Sequence, residues 1–261
     1  MMQALRFRIT DTLAITQRNL LRYLRLPRLL FFSSIQPIMF LLLFNYAFGG
    51  AIGTNLPGIK YIDYLLPGIM LQMILFGAVQ TGIGLADDLS TGIIDRFRSL
   101  PMDRAAVMTG RTLSDSVRNL AVSLIMLSMG FILGFRFHNG FWPAVAMVGI
   151  IILFGFAFSW LAAINGLVAK DAESAQLSSF LIIFPLVFAS SAFVPIDTMP
   201  SWLATFARNQ PITHVVNAAR ELALGFTPPG TEGAIGKTLV WVVILLAVFV
   251  PLAVRLYRKR T

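Results

Sequence analysis

From Tyr64 to Leu85 the chain reads YLLPGIMLQMILFGAVQTGIGL, without a charged side chain. A bilayer core about 30 Å thick needs roughly 20 apolar residues of helix, and this stretch meets that length. Directly after it comes Asp87-Asp88-Leu89-Ser90-Thr91-Gly92-Ile93-Ile94-Asp95-Arg96-Phe97-Arg98-Ser99-Leu100-Pro101-Met102-Asp103-Arg104. The apolar run reads as a membrane-crossing helix, and the charged run as the loop into which it emerges. That pairing decides the fold class: an all-α membrane protein.

Five more stretches have the same character, from about Leu29 to Phe48 (with Pro37 and Asn45), Val117 to Phe135, Trp142 to Val168, Gln176 to Val194 (with Pro185) and Thr238 to Val254. Six transmembrane helices are therefore expected, in one membrane domain over residues 1–261 without linker, low-complexity tract or internal repeat. Composition agrees. The 261 residues are 57% hydrophobic and 13% charged, where a soluble domain is nearer about 25% charged. Mean hydropathy is +0.77. A single soluble domain has too little interior to hide that much apolar surface, so an ordinary soluble enzyme, a disordered chain and a disulfide scaffold are excluded. The absence of cysteine removes disulfides, thiolate metal sites and cysteine nucleophiles together. The first apolar stretch is too long for a signal-peptide core, and amphipathic residues precede it.

Lysine and arginine set the orientation. Sixteen of the 21 basic residues fall before the first span, between the second and third, between the fourth and fifth, and after the sixth; five fall on the other side. Both termini are therefore expected in the cytoplasm. The net charge of +9 becomes a topology signal with affinity for anionic lipid. No folded basic domain exists to bind nucleic acid, so that partner is excluded.

Four segments lie outside the spans. In residues 1–28, Leu5, Ile9, Leu13, Leu20 and Leu24 share a helical face, and Arg18, Arg22 and Arg25 repeat on another. Such a helix lies in the membrane interface, either as an orientation anchor or as an elbow that also touches a cytoplasmic partner. The loop from Ala86 to Ser116 is too long for a connector. Ile93, Ile94, Phe97 and Leu100 share one face, arginines flank it, and Pro101 ends the helix. A short amphipathic helix held off the membrane suits docking into a groove on a soluble partner. Between Pro195 and Gly236, Pro200 and Pro211 bracket one short helix, and Val215, Ala218, Ala219 and Leu222 continue a second up to Gly225. These two would cap an outward exit or anchor at the interface through Trp202. Ala169 to Ala175 reads as a short cytoplasmic turn, bare or a weaker docking contact.

Several chemistries lack their residues. Gly236-Lys237-Thr238 approaches a P-loop, but the position that needs the first glycine is Thr231 and an apolar span follows directly. Ser190 and Ser191 have no nucleophile context for a protease. His138 and His214, the two histidines, lie in different loops without ligand spacing. Ion coupling normally needs carboxylates inside the membrane, and Asp87 and Asp88 sit at a span end. The polar residues left at depth include Asn45, Gln72, Gln80 and Asn165, so Asn45, Gln72 and Asn165 mark a substrate path or a helix interface. Gly77, Thr81, Gly82 and Gly84 read as close helix contacts.

Gly92, Arg96, Leu100-Pro101, Arg104 and Gly110-Arg111 form one ordered set of residues. A more specific set is Phe193-Val194-Pro195, Met199-Pro200, Trp202-Leu203, Gln210-Pro211-Ile212-Thr213 and Arg220. With these the chain resembles, over nearly its whole length, the type 2 ABC exporter permeases, especially the daunorubicin/doxorubicin-resistance type. One departure is that members often carry Asn directly before the proline that is Pro211, where this chain has Gln210. The resemblance implies six spans with an N-terminal interfacial helix bearing Arg18, Arg22 and Arg25. It implies a coupling helix whose docking residues are Ile94, Asp95, Arg96, Phe97, Arg98, Leu100, Pro101 and Arg104. It implies an exterior gate at Pro195, Pro200, Trp202, Pro211, Thr213 and Arg220. It further implies a second permease chain and two separate ATPase subunits that carry ATP and Mg, with no cofactor bound on this chain. The expected place is a bacterial inner (plasma) membrane, and the expected cargo a lipophilic drug or lipid. An ion-coupled secondary transporter or channel is the alternative.

Overall fold

The computed structural model describes residues 16–17, 21, 27–53, 59–91, 104–225, 227 and 231–260. Among them the regular structure is helical throughout. In chain order the α-helices are α1 (Pro27–Gly53), α2 (Tyr61–Ser90), α3 (Arg104–Ile132), α4 (Phe141–Val168), α5 (Ala172–Phe188), α6 (Ser201–Asn209), α7 (Pro211–Leu224) and α8 (Ala234–Arg260). A single 3-10 turn, Ile196–Thr198, precedes α6.

Among the described residues four helices are long and apolar enough to cross a membrane: α2, α3 from Thr109, α4 and α8 to Tyr257. The whole of α5 is apolar but shorter, and α1, 27 residues long, is apolar over its described stretch Ser34–Gly50. Burial ranks the helices by position. The apolar window of α2 is 89% buried inside the chain and that of α8 only 17%. So α2 is the central helix, surrounded by α1, α3, α4, α5 and α7, while α8 presents most of its apolar surface outward.

Between α2 and α4 small residues permit the approach. A methyl group added to Gly82 would strike the Ala162 carbonyl oxygen, and one on Gly166 would strike the Gly82 carbonyl oxygen. Backbone thus meets backbone, as small residues allow between membrane helices. At one end of the bundle the Arg136 amide donates to Asp63 Oδ1 at 3.2 Å, and the His138 amide to the Ala223 carbonyl at 3.0 Å. These tie the α3–α4 turn to α2 and α7. At the other end a second apolar cluster of Leu85, Trp160, Leu167, Ala253 and Tyr257 joins α2, α4 and α8.

Two boundaries differ from the sequence reading. By hydropathy the third apolar stretch begins at about Val117, yet α3 is already helical at Arg104. Arg111 and Asp115, loop residues by hydropathy, and Arg118 at the span's edge therefore ride on a helix that packs along α2. The fifth stretch was read to Val194, but α5 stops at Phe188 and turns follow. Pro185 sits in its last turn, and Ser190 Oγ donates to the Val187 carbonyl at 2.5 Å. Hydroxyls bonded back to the chain in this way compete with helix continuation.

Candidate functional site

The break after α5 is held by side chains from α2 and α7. Arg220, on α7, is fully buried and heads the largest fully buried side chains of the core. A guanidinium carries five N–H donors, and the structure accounts for five contacts. Nε donates to the Tyr64 carbonyl at 2.8 Å. Nη1 reaches Ser191 Oγ at 3.3 Å and Asn217 Oδ1 at 3.1 Å. Nη2 reaches the carbonyls of Ser191 at 2.7 Å and Ala192 at 3.2 Å. Its Cζ lies 3.4 Å from the centroid of the Tyr64 ring, a cation–π contact.

Other backbone groups of the break are met by neighbouring side chains. Tyr64 Oη donates to the Ser191 carbonyl and Tyr61 Oη to that of Phe193, both at 3.0 Å. Gln210 Nε2 donates to the Ala189 carbonyl, and the Ser191 amide donates to Thr213 Oγ1 at 3.2 Å. Buried backbone must find partners, and irregular backbone survives at membrane depth only inside protein. Arg220, Thr213 and Gln210 thus take up much of the backbone where the chain leaves α5 and returns through α6 and α7. Of the residues expected at an exterior gate, Thr213 and Arg220 join this knot, and Pro211 opens α7 beside Gln210. Pro195 and Pro200 lie outside it at the turns around Ile196–Thr198, and Trp202 is 73% exposed on α6. Tyr64, Ser191 and Asn217 belong to the knot and carry no sequence signal beyond their polarity.

Midway along α2 lies a cleft of about 270 Å³ between α1, α2, α3 and α5. Its polar lining is Gln36, Gln72, Gln80, Arg118, Asn119 and Gln176, and Phe40, Phe76 and Phe180 supply an apolar wall. Gln72 is only 4% exposed, and its Oε1 is buried without a hydrogen-bond partner. Such an unmet group costs about 1–3 kcal/mol. Gln36, Gln80 and Gln176 are exposed and ring the mouth. Arg118 Nη2 donates to the Gly77 carbonyl at 2.8 Å and to Asn119 Oδ1 at 3.2 Å. A methyl on Gly77 would come within 2.8 Å of that same nitrogen, so the glycine seats the guanidinium against α2.

The other expected path residues fall elsewhere. Asn165 clasps α4 to α5: its Nδ2 lies 3.0 Å from the Ala175 carbonyl, 2.8 Å from Ser178 Oγ and 2.7 Å from Ser179 Oγ. Asn45 is half-buried on α1 and is not among the residues lining the cleft. Below the cleft, Thr81 Oγ1 donates to the buried Asp115 carboxylate at 2.5 Å, and Arg111 pairs with Asp88 at 2.5 Å. These contacts join α2 to α3 on either side of the arginine-rich loop. Of the docking residues, Ile94, Asp95, Arg96, Phe97, Arg98, Leu100 and Pro101 lie outside the described residues, as do Arg18, Arg22 and Arg25; Arg104 is described only as the first residue of α3.

The comparisons with known proteins agree on one family. Residues 10–224 match the ABC-2 type transporter family. The chain is 35% identical over 254 residues to the daunorubicin resistance ABC transporter permease protein DrrB1 of Streptomyces coeruleorubidus, covering 97% of this chain and 87% of that protein. It is 29% identical over 262 residues to the probable doxorubicin resistance ABC transporter permease protein DrrC of Mycobacterium tuberculosis, covering 99% and 92%. It is 32% identical over 219 residues to DrrB of the same organism, covering 80% and 74%. With its apolar helical bundle and this match over most of its length, the chain is a multi-pass membrane protein that belongs to the ABC-2 type transporter family.

Proposed function

We propose that this chain is the membrane permease of an ABC exporter, moving a lipophilic drug or lipid-like molecule outward under ATP hydrolysis by separate subunits. The observation that carries the reading is the pairing of a polar cleft midway along α2 with the Arg220 knot at the far end of the bundle. A cleft lined by amides and closed beyond by a hydrogen-bonded seal suits a path that alternates its access. In this reading α1 and α5 span as well, giving six spans with both termini in the cytoplasm of a bacterium. The whole chain then forms one domain, paired with a second permease chain and two ATPases that hold ATP and Mg.

The coupling helix occupies the loop between α2 and α3, with Ile94, Asp95, Arg96, Phe97, Arg98, Leu100, Pro101 and Arg104 toward the ATPase. Arg18, Arg22 and Arg25 hold an interfacial helix beside it. The Arg111–Asp88 pair supports this arrangement, because it links the two helices that flank the loop. Force on the loop would move α2 and α3 together, and with them the cleft walls. Pro195, Pro200, Trp202, Pro211, Thr213 and Arg220 then form the outer gate region, and Asn45 and Asn165 contribute helix contacts beside the path at Gln72.

The test is co-expression with the ATPase, followed by purification and transport in vesicles. Arg96→Glu combined with Leu100→Ala should abolish co-purification and ATP-driven transport. Intact assembly and transport in that variant overturn the docking assignment. One observation favours the ion-coupled alternative, namely the buried carboxylate of Asp115. Transport that persists without the ATPase and collapses with the proton gradient would select it.

A further inference from the structure

Where α2 meets α4 the contact is backbone on backbone, whereas α3 is held to α2 by arginines laid on glycines. A methyl group on Gly84 would fall on the Arg111 guanidinium, and one on Gly77 would crowd Arg118 Nη2. Each arginine also finds an acceptor on α2. Arg111 Nη1 pairs with Asp88 Oδ2 at 2.5 Å, one turn beyond Gly84, and Arg118 Nη2 donates to the Gly77 carbonyl at 2.8 Å. The arginines stand seven residues apart on α3 and the glycines seven apart on α2, in opposite order. One antiparallel register therefore serves both seats, and the hydrogen bond from Thr81 to Asp115 falls between them in the same register.

We propose that Arg111 is a positioning residue for transport: it locks the start of α3 onto α2, so that force entering at the loop between them displaces both helices as one lever. The proposal rests on the permease reading and names the residue that carries its coupling. Register is the first reason. A slip of one turn would bring Gln80, Thr81, Asp87 or Asp88 beneath the guanidinium in place of Gly84, and each has a side chain where the seat has none. Polar pairs between packed helices are best attested as devices that fix register. Place is the second. Of the two seats Arg111 is the nearer to the loop, and both side chains of its ion pair are only 24% exposed, so the attraction is screened less than at an open surface. The third is convergence. The carbonyl of Gly110, beside Arg111, accepts the hydroxyl of the buried Thr16 at 3.1 Å. The segment that precedes the first span is thus fastened at the same corner of α3.

The experiment is double electron–electron resonance on the full chain in nanodiscs of phosphatidylcholine and phosphatidylglycerol. The chain has no cysteine, so nitroxides placed by Ser90→Cys and Leu120→Cys, both at exposed positions, read the axial register of α3 against α2. Spectra are taken without a partner, and again with a cysteine-free ATPase holding nucleotide trapped by vanadate. The parent chain should give one distance, the same in both states. Arg111→Gln should add, on trapping, a second population displaced by about 5 Å, one helical turn. Asp88→Asn is the second variant, in case Arg111→Gln does not fold, and should do the same. Arg111→Lys keeps the charge without the planar fork and should show a smaller displaced population. Exchanging the charges, Arg111→Asp with Asp88→Arg, should remove it again, a rescue that general loss of stability does not produce. A single unchanged distance on trapping in both Arg111→Gln and Asp88→Asn overturns the proposal. So does a displaced population in the parent chain on trapping, and so does one in Arg111→Gln that is equal with and without nucleotide. Failure of the permease reading shows separately, as no vanadate-trapped nucleotide in the parent complex, and it takes the coupling role with it.

Discussion

Arg220 has five N–H groups and, inside a bundle of apolar helices, sends all of them to oxygen atoms of Tyr64, Ser191, Ala192 and Asn217. Three of these acceptors are backbone carbonyls. The charge is thus met by carbonyl dipoles from the first turn of α2 and from the irregular backbone after α5. Lysine at this position would keep the charge but offer three donors from a compact ammonium, without the planar fork. Arg220→Lys should therefore destabilise the chain by on the order of 2–4 kcal/mol, since buried carbonyls are left unmet. The measurement is the thermal unfolding midpoint of the purified protein. Arg208→Lys is the control, because its pair with Asp197 has side chains 60% and 78% exposed and such pairs contribute little. Equal, small shifts in the two variants would show that the knot is not the structural seal its geometry implies. The sequence placed Arg220 in an outer helix but did not disclose its partners. Backbone carbonyls carry no residue signature, so a buried arginine satisfied by them looks like any surface arginine on an otherwise apolar face.

At the scale of the element, α5 is the exposed case. Its 17 residues span only about 26 Å as a helix, short of a hydrocarbon core of about 30 Å. Both its ends are fixed by side chains. At the C-terminal end the Arg220 knot takes over the backbone. At the N-terminal end Asp171 caps the helix, accepting the Ser174 amide at 2.7 Å. That amide first, then the Ser174 hydroxyl, hold the Asp171 carboxyl below its ordinary range, and Lys170 adds to the effect. The charged form is thus favoured in the folded helix. Its contribution is fully present above the ordinary aspartate value of about 3.9 and is lost as pH falls through the depressed folded value. Hydrogen-exchange protection of the Ser174 and Ala175 amides should fall over that acid window. Asp171→Asn keeps a cap and removes the pH dependence, while Asp171→Ala lowers protection at every pH. A wild-type protection that stays flat on acidification would refute the capping role. Legibility differs between elements for a physical reason. α4 and the middle of α2 are mostly apolar and carry no charged side chain, so hydropathy alone found them. The first turns of α3 carry Arg111, Asp115 and Arg118, whose polarity is absorbed by Asp88, Thr81 and the Gly77 carbonyl of α2. A one-dimensional reading cannot see the neighbouring helix that makes those charges tolerable.

For the whole molecule the open quantity is the number of crossings, and it decides on which side the arginine-rich loop stands. Among the described residues four helices satisfy the length and hydropathy of a span, and α5, with 17 residues, falls short. If only the four crossed, residues before and after α5 would lie on one side of the membrane. If six cross, they lie on opposite sides, and the sixteen-to-five distribution of basic residues falls on the cytoplasmic side as charge asymmetry demands. The chain has no cysteine, so a single introduced thiol reports its own position without a background. Glu173, in the first turn of α5, and Asp197, beyond its C-terminal end, are both exposed. Replacing Asp197 breaks only a surface ion pair, a change worth little. With a membrane-impermeant maleimide, Asp197→Cys should react on intact cells and Glu173→Cys only after permeabilisation. Reaction of both on intact cells would reduce α5 to a re-entrant helix. The reversed pattern would put the loop at 92–103 on the outer side, away from any ATP-hydrolysing partner, and the docking assignment would fall with it. A six-span chain is the arrangement in which the shortness of α5 makes physical sense. The knot at Ser191 and Ala192 then completes the crossing with irregular backbone that Arg220 has already satisfied.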